Sequence, residues 1–375
     1  MPNEKPTSRR DFLKGRAAAR ALIDKARAAA DAASSAVAGS LDAGPPLTNP
    51  TQRNEAIRLT ATRRAMACEF TVEYHAADGI AATNAALGAL RLVEQLEDQL
   101  TVYRDQSELL DINVEAAERP VEVEPQLFAL IELCQWLHQS TGGAFDMTSG
   151  PLSKVWGFHR RQGRLPDQAE IDEALACVGA QYVVLDPTAR TVRFLRAGIE
   201  LNVNSIGKGY ALDRAAASMD EEGVTDFLWH GGRSSVLARG RPRDQSIAAW
   251  PIGLPHPRQP GKRVGKLLIE DHGLGTAGSG TQFFEVEGRR YGHLLDPRTG
   301  WPAGGVYSAT AVAASAAEAD ALATAFYVMG PDGAAEYCAQ HNDVAAVLVC
   351  PGGGDDQVDV HVFNLDESRW RPSDE

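Results

Sequence analysis

Three short stretches hold residues whose types and spacing could do chemistry. Asp320 and Thr324 stand at i, i+4 in Ala316–Met329, a segment patterned as helix. That spacing stacks a carboxylate and a hydroxyl on one helix face, one turn apart. Taken alone, Asp320 reads equally as a capping or solvated carboxylate, although its Ala and Leu neighbours favour partial burial. Lys208 sits between Gly207 and Gly209. Glycines let a backbone come close to a ligand, and a lysine there can act as a point charge on phosphate. A solvated loop lysine fits the same sequence. His293 has the titration range of a general base near neutrality. It precedes Asp296-Pro297 and Thr299-Gly300, both turn formers, so a structural histidine is the alternative.

Other motifs fail on context. Gly273-Leu274-Gly275-Thr276-Ala277-Gly278 matches the dinucleotide fingerprint G-x-G-x-x-G, which needs a helix starting at its glycines. Here Gln282–Glu287 alternates like a strand instead. Ser205-Ile206-Gly207-Lys208-Gly209 lacks P-loop spacing. There is no H-E-x-x-H and no G-x-S-x-G elbow. With 37 basic and 50 acidic residues the net charge is −13, which argues against a nucleic-acid surface. No run of about 18 apolar residues offers a transmembrane helix. The five cysteines, Cys68, Cys134, Cys177, Cys338 and Cys350, contain no C-x-x-C and exclude a disulfide framework or zinc motif.

The elements that must position these residues are legible in part. Phe70, Val72 and Tyr74 alternate as a strand. Leu87, Leu90, Val93, Leu96 and Leu100 recur at helical spacing, and Leu127, Ile131, Cys134 and Leu137 mark a helix over 125–139. Tyr182–Leu185 and Val192–Phe194 predict a hairpin, and Gly209–Met219 a helix. Strands are expected at Trp250–Leu254, Lys266–Glu270, Phe283–Val286, Ala309–Ala313, Ala345–Val349 and Val358–Phe363. Ala316–Met329 and Asp332–His341 read as helices. Strands and helices mixed without regular alternation favour an α+β fold over a doubly wound sheet. A breaker cluster at Gly44-Pro45-Pro46 to Asn49-Pro50 places the start of the folded domain at 52. Residues 1–51 form an Ala-rich arm, 52–365 the domain and 366–375 a polar tail. Arg9-Arg10 lies in a stretch like a twin-arginine export signal, but charges interrupt the apolar region such a signal needs.

Three clusters in one order carry a resemblance. Gly143-Ala144-Phe145-Asp146 leads into Ser149-Gly150-Pro151-Leu152 and Trp156-Gly157-Phe158. Asn202-Val203-Asn204-Ser205-Ile206-Gly207-Lys208-Gly209-Tyr210 leads into Asp213. His293-Leu294-Leu295-Asp296-Pro297-Arg298-Thr299-Gly300 is followed by Asp320 and Thr324. With Met66, the stretch Tyr103 to Asn113 and Gly231-Gly232, they resemble the ApbE family of FAD:protein FMN transferases over about residues 60–350. The resemblance implies an ApbE-like fold of mixed sheets and helices, in two closely associated subdomains around a flavin site. It implies Mg²⁺-dependent transfer of the FMN part of FAD onto a Thr or Ser hydroxyl of a target redox protein, releasing AMP. The same residues with water as acceptor would hydrolyse FAD to FMN and AMP, and a non-catalytic FAD-binding protein is the third reading.

By that resemblance the metal ligands are Asp320, Thr324 and the Ser205 carbonyl. FAD meets Met66, Tyr103, Ala144, Phe145, Asp146, Asn202, Lys208 and Leu294. His293 is the base that takes the acceptor proton, with Asp296 beside it to orient the site or hold the turn. The resemblance and Arg9-Arg10 suggest an envelope-facing location, and a cytoplasmic one if the interrupted signal is not used. Three departures stand out: Asn202 where members usually carry an acid, Arg233 after Gly231-Gly232, and Thr276-Ala277-Gly278-Ser279-Gly280 where hydroxyls and an acid or Tyr are common.

Overall fold

The structure, a computed structural model, describes residues 57–373 apart from 105, 245–246, 279, 281 and 355–356. The arm at 1–51 and its Arg9-Arg10 signal lie outside the described residues. The elements run β1 (Arg58–Ala65), β2 (Cys68–His75), α1 (Gly79–Leu100), α2 (Glu108–Glu115), β3 (Val121–Glu122), α3 (Pro125–Ser140), α4 (Gly150–Val155) and α5 (Gln168–Leu175). They continue with β4 (Val183–Asp186), β5 (Thr191–Phe194), α6 (Gly207–Glu221), β6 (Phe227–Gly231), β7 (Ser235–Arg239), β8 (Trp250–Pro255), β9 (Arg263–Ile269) and β10 (Gly273–Gly278). The last are β11 (Phe283–Val286), β12 (Arg289–Gly292), β13 (Ser308–Ala313), α7 (Ala316–Gln340), β14 (Ala345–Pro351), β15 (Val358–Phe363) and β16 (Trp370–Pro372).

The centre is an antiparallel eight-stranded sheet in the order β1-β2-β6-β7-β10-β13-β14-β15. Its strands alternate, so each face buries its own set of side chains. One face carries Phe70, Trp229, Ala311 and Ala346 against α1, α6 and α7. The other carries Leu228, Val236, Leu274, Val312 and Val347 against the small sheet β16-β9-β8. The fold is thus α+β, as the irregular mixture of elements suggests.

One row across this sheet explains how close the helices come. Gly231, Ser235, Gly275, Ala311 and Ala346 stand opposite one another through successive strand pairs. Small side chains leave room for backbone contact. A Cβ on Gly275 would lie 2.4 Å from the Ala319 carbonyl oxygen and 2.5 Å from the Asp320 nitrogen. The glycines of the G-x-G-x-x-G match therefore belong to a strand, Gly273 and Gly275 serve helix packing, and no helix follows them.

On α1 the buried face is Ala82, Ala86, Ala89, Leu90, Val93, Leu96 and Leu100. Leu87, which the spacing groups with this stripe, is 44% exposed. The helices expected at 316–329 and 332–341 are continuous but for a kink at Gly330 (φ 73°), where Pro331 follows. The segment 366–375, expected as a polar tail, contains β16, which pairs with β9. Its Trp370 indole fills the space where Gly265 has no side chain, which ties the segment down.

Candidate active site

The first group forms where α6 starts. Leu201 is held by Asn113, which accepts from its N–H (2.7 Å) and donates to its carbonyl (2.9 Å). This clamp fixes the 202–206 loop ahead of the helix. Asn202 accepts from the Asn204 N–H (3.0 Å), and Asn204 donates to the Tyr103 hydroxyl (2.8 Å). Tyr103 is 62% exposed and so presents a ring beside this loop. In the first turn of α6, Gly209 N–H donates to Asp320 Oδ2 (2.8 Å), while Tyr210 N–H takes the Ile206 carbonyl. The Ser205 carbonyl is therefore not used by the Gly209 N–H, as a longer helix would require.

Asp320 lies on α7, buried with its carboxylate between α6 and β7. Burial pushes it up to about 6, and the nearby Lys208 ammonium opposes that shift. Ser235 donates to it, with Oδ1 at 2.8 Å and Oδ2 at 2.7 Å. Lys208 Nζ donates to Ser234 Oγ at 2.6 Å. Thr324 Oγ1 donates back to the Asp320 carbonyl (3.3 Å), the i, i+4 relation expected of that pair. Asp213, one turn beyond Gly209, accepts from the Ala316 and Ala317 N–H groups (2.8 Å each). It caps α7 from α6. Gly209 permits the crossing, since a Cβ there would lie 2.1 Å from the Ala316 carbonyl oxygen.

Met66 and Ala67 form the two-residue turn of the β1–β2 hairpin, with φ of 48° and 60°. Both central residues of such a turn need left-handed backbone, which costs non-glycine residues energy. The turn stands next to the same group. Cys68 lies against Gly232, and its thiol, pushed up by burial, also feels Lys208 and Asp320.

The second group surrounds Asp146. Its carboxylate accepts from the Thr148 N–H (2.7 Å) and hydroxyl (2.6 Å), from the Ala180 N–H (3.1 Å) and from His138 Nδ1 (3.0 Å). The hydrogen bond to Asp146 raises the His138 pKa. Ala144 and Phe145 are each 1% exposed and sit in the main core. Asp146 thus braces the turn first, whatever else it meets. Asn202 N–H donates to the Met147 carbonyl (2.7 Å), which ties this turn to the first group.

Asp296 holds its own loop. Its carboxylate accepts from Arg298 N–H (2.9 Å), Nε (2.8 Å) and Nη2 (2.8 Å), and its carbonyl closes the turn to Thr299 and Gly300. Trp156 Nε1 donates to the Gly300 carbonyl (2.8 Å). Arg298 packs on Gly143, and a cleft of about 250 Å³ opens between His138, Gly143, Gln181 and Arg298. Of the two roles open to Asp296, the geometry shows the turn. Leu294 is partly buried against the main core.

His293 lies at the base of the β11–β12 hairpin. Its Nδ1 meets the Gln282 carbonyl at 3.1 Å, and its ring contacts Phe158 edge-on. A carbonyl only accepts, so Nδ1 carries the proton and Nε2 keeps the lone pair. Burial lowers the pKa of the ring, which keeps it neutral further into the acid range. No hydrogen bond joins His293 to Asp320 or Lys208 among the described residues.

Sequence reasoning missed Ser234, Ser235 and Gln282. Gly231-Gly232 marks a turn beside the two serines, but nothing in the sequence points their hydroxyls at Lys208 and Asp320. Gln282 acts through a backbone carbonyl, which no side-chain pattern reveals.

This arrangement of sheet, α6–α7 crossing and hairpin is an ApbE-type fold. It is similar to the flavinyl transferase ApbE of Pseudomonas stutzeri, with TM-score 0.73 and 27% identity over 83% of this chain and 98% of that one. It is equally similar to the ApbE protein of Thermotoga maritima, with TM-score 0.72, 27% identity and 82% and 97% coverage. The model of the ApbE family matches residues 66–348, and the chain belongs to that family. An FAD:protein FMN transferase of Klebsiella pneumoniae is 32% identical over 263 residues, 69% of this chain and 80% of the relative. One of Treponema pallidum is 30% identical over 272 residues, 69% and 75% respectively.

Proposed function

We propose that this chain transfers the FMN part of FAD to a Thr or Ser hydroxyl of a partner redox protein and releases AMP. The observation that carries the reading is the convergence of Lys208 and Asp320 on the first turn of α6, in a chain of this family. A helix N-terminus with a lysine beside it suits a diphosphate, because both present positive charge to anionic oxygens. Cleaving that diphosphate needs charge neutralisation and in-line positioning more than covalent help from the protein.

The donor set fits Mg²⁺. The ion favours hard oxygen ligands and commonly takes one or two carboxylates with phosphate oxygens. Asp320, the Thr324 hydroxyl and the Ser205 carbonyl would hold it. No cluster of three or more His, Cys, Asp or Glu able to bind a metal occurs among the described residues. A site that draws its other ligands from the nucleotide does not need one. When bound, the ion would neutralise diphosphate charge.

His293 Nε2 takes the proton from the acceptor hydroxyl. The acceptor oxygen then bonds to the phosphorus of the FMN phosphate, and the bond from that phosphorus to the AMP side breaks. Gln282 keeps the histidine in the tautomer this step needs. Tyr103, beside the Asn204 side chain, and the Met66 turn flank the flavin nucleotide. Replacing His293 with Ala tests the reading: FAD binding, followed by flavin fluorescence, should persist while transfer to an acceptor protein is lost. Loss of binding together with transfer would make His293 structural.

A further inference from the structure

Lys208 and Asp320 carry opposite charges that act on each other, yet no ion pair joins them among the described residues. A chain of hydroxyls stands between them instead. Lys208 donates to Ser234 Oγ (2.6 Å), the Ser234 and Ser235 hydroxyls lie 3.4 Å apart, and Ser235 donates to Asp320. The proton directions are fixed by chemistry. An ammonium only donates and an ionised carboxylate only accepts, so the Ser235 proton is committed to Asp320. The Ser234 proton is left to point at Ser235. The chain runs one way, from ammonium to carboxylate.

The scaffold holds both serines firmly. Ser235 is fully buried and stands opposite Gly231 and Gly275 in the central sheet. The Ser234 carbonyl accepts from the Thr276 N–H (2.8 Å).

We propose that Ser234 and Ser235 are positioning residues that hold Lys208 and Asp320 apart, so that each stays open to its own ligand. The inference rests on the proposed function, in which Lys208 faces the diphosphate and Asp320 faces Mg²⁺. A direct Lys208–Asp320 pair would satisfy both charges internally and close both binding positions. The hydroxyl chain orients each group without neutralising it. Hydrogen bonds to charged groups are the stronger class, so deleting one should change affinity by roughly ten- to a hundred-fold.

The test uses the full chain and five variants, S234A, S234T, S235A, K208Q and S234A/K208Q. FAD affinity is read by flavin fluorescence without metal, and then the Mg²⁺ concentration that half-saturates the FAD-loaded protein. S234A should weaken FAD binding about tenfold or more. S235A should instead raise the Mg²⁺ midpoint about tenfold or more. S234T, which keeps the hydroxyl, should recover most of the S234A loss. Adding S234A to K208Q should change FAD affinity no further, because the chain then has no cation to orient. Thermal unfolding identifies variants that lose affinity only because they unfold, and S234T then carries the comparison. Unchanged affinities in folded S234A and S235A, or equal losses in S234A and S234T, would overturn the proposal. Wild-type protein that binds no FAD would instead remove the functional reading beneath it.

Discussion

Two glycines two residues apart in α6 should answer oppositely to the same substitution. A methyl on Gly207 would lie 3.7 Å from Val203 and 3.8 Å from Leu100, which is ordinary contact. A methyl on Gly209 would lie 2.1 Å from the Ala316 carbonyl oxygen and 2.6 Å from the Ala317 nitrogen, both backbone atoms. For Gly209→Ala, α7 must therefore retreat by about 1 Å to restore contact distance. That stretches the 2.8 Å bond from Gly209 to Asp320 out of hydrogen-bonding range. Overpacking costs about 1–3 kcal/mol. Losing a bond to a buried charged group costs about 1.5–3 kcal/mol. Better helix propensity returns about 1 kcal/mol. The net loss is about 1.5–5 kcal/mol, or on the order of 2–8 °C in Tm for a domain of this size. Gly207→Ala should gain about 0.5–1 kcal/mol, since it only restricts the unfolded chain. Thermal and guanidinium unfolding followed by circular dichroism measure both. Equal stabilities for the two variants would refute the argument that backbone approach at Gly209 sets the α6–α7 crossing.

The remaining predictions concern the groups around that crossing. The depressed pKa of His293 keeps it neutral below 6.5, so the acid limb of the transfer rate should fall below pH 6.5. A limb above 6.5 would mean that another group limits the rate. Asp213→Ala removes two acceptors from the N-terminus of α7 and should cost about 1–2 kcal/mol in a chemical unfolding experiment. Asn113→Ala frees Leu201 at both backbone groups, which should raise the KM for FAD through a looser 202–206 loop while kcat changes less.

Much of the fold could be read from side-chain periodicity, because long apolar stripes such as Leu90, Val93, Leu96 and Leu100 follow one helix face. The central strands β6, β7 and β10 were harder. Their inward row is built of Gly231, Ser235 and Gly275, so they lack the alternating bulk that marks a strand. That absence of bulk is what admits α7, and it places Asp320. In the site, Lys208 and the Asp320–Thr324 pair were singled out by the motifs that carry the family resemblance, and the structure brings Lys208 and Asp320 to one helix turn. Ser234 and Ser235 were not, because their partners come from α6 and α7, some 26 and 85 positions away. Asp146 and Asp296 show the converse. Their short-range motifs are visible in sequence; the structure spends the Asp296 carboxylate on its own turn and that of Asp146 on its turn, the Ala180 N–H and His138.

The most direct measurement combines purified protein, FAD and Mg²⁺ with an acceptor domain from a redox protein, and then repeats it with the acceptor Thr replaced by Val. AMP release should accompany a flavin-fluorescent acceptor band on a denaturing gel, and the Val acceptor should give no band. AMP and free FMN at the same rate with either acceptor would contradict transfer and indicate hydrolysis. FAD that stays bound and intact would contradict an enzymatic role for the Lys208–Asp320 site.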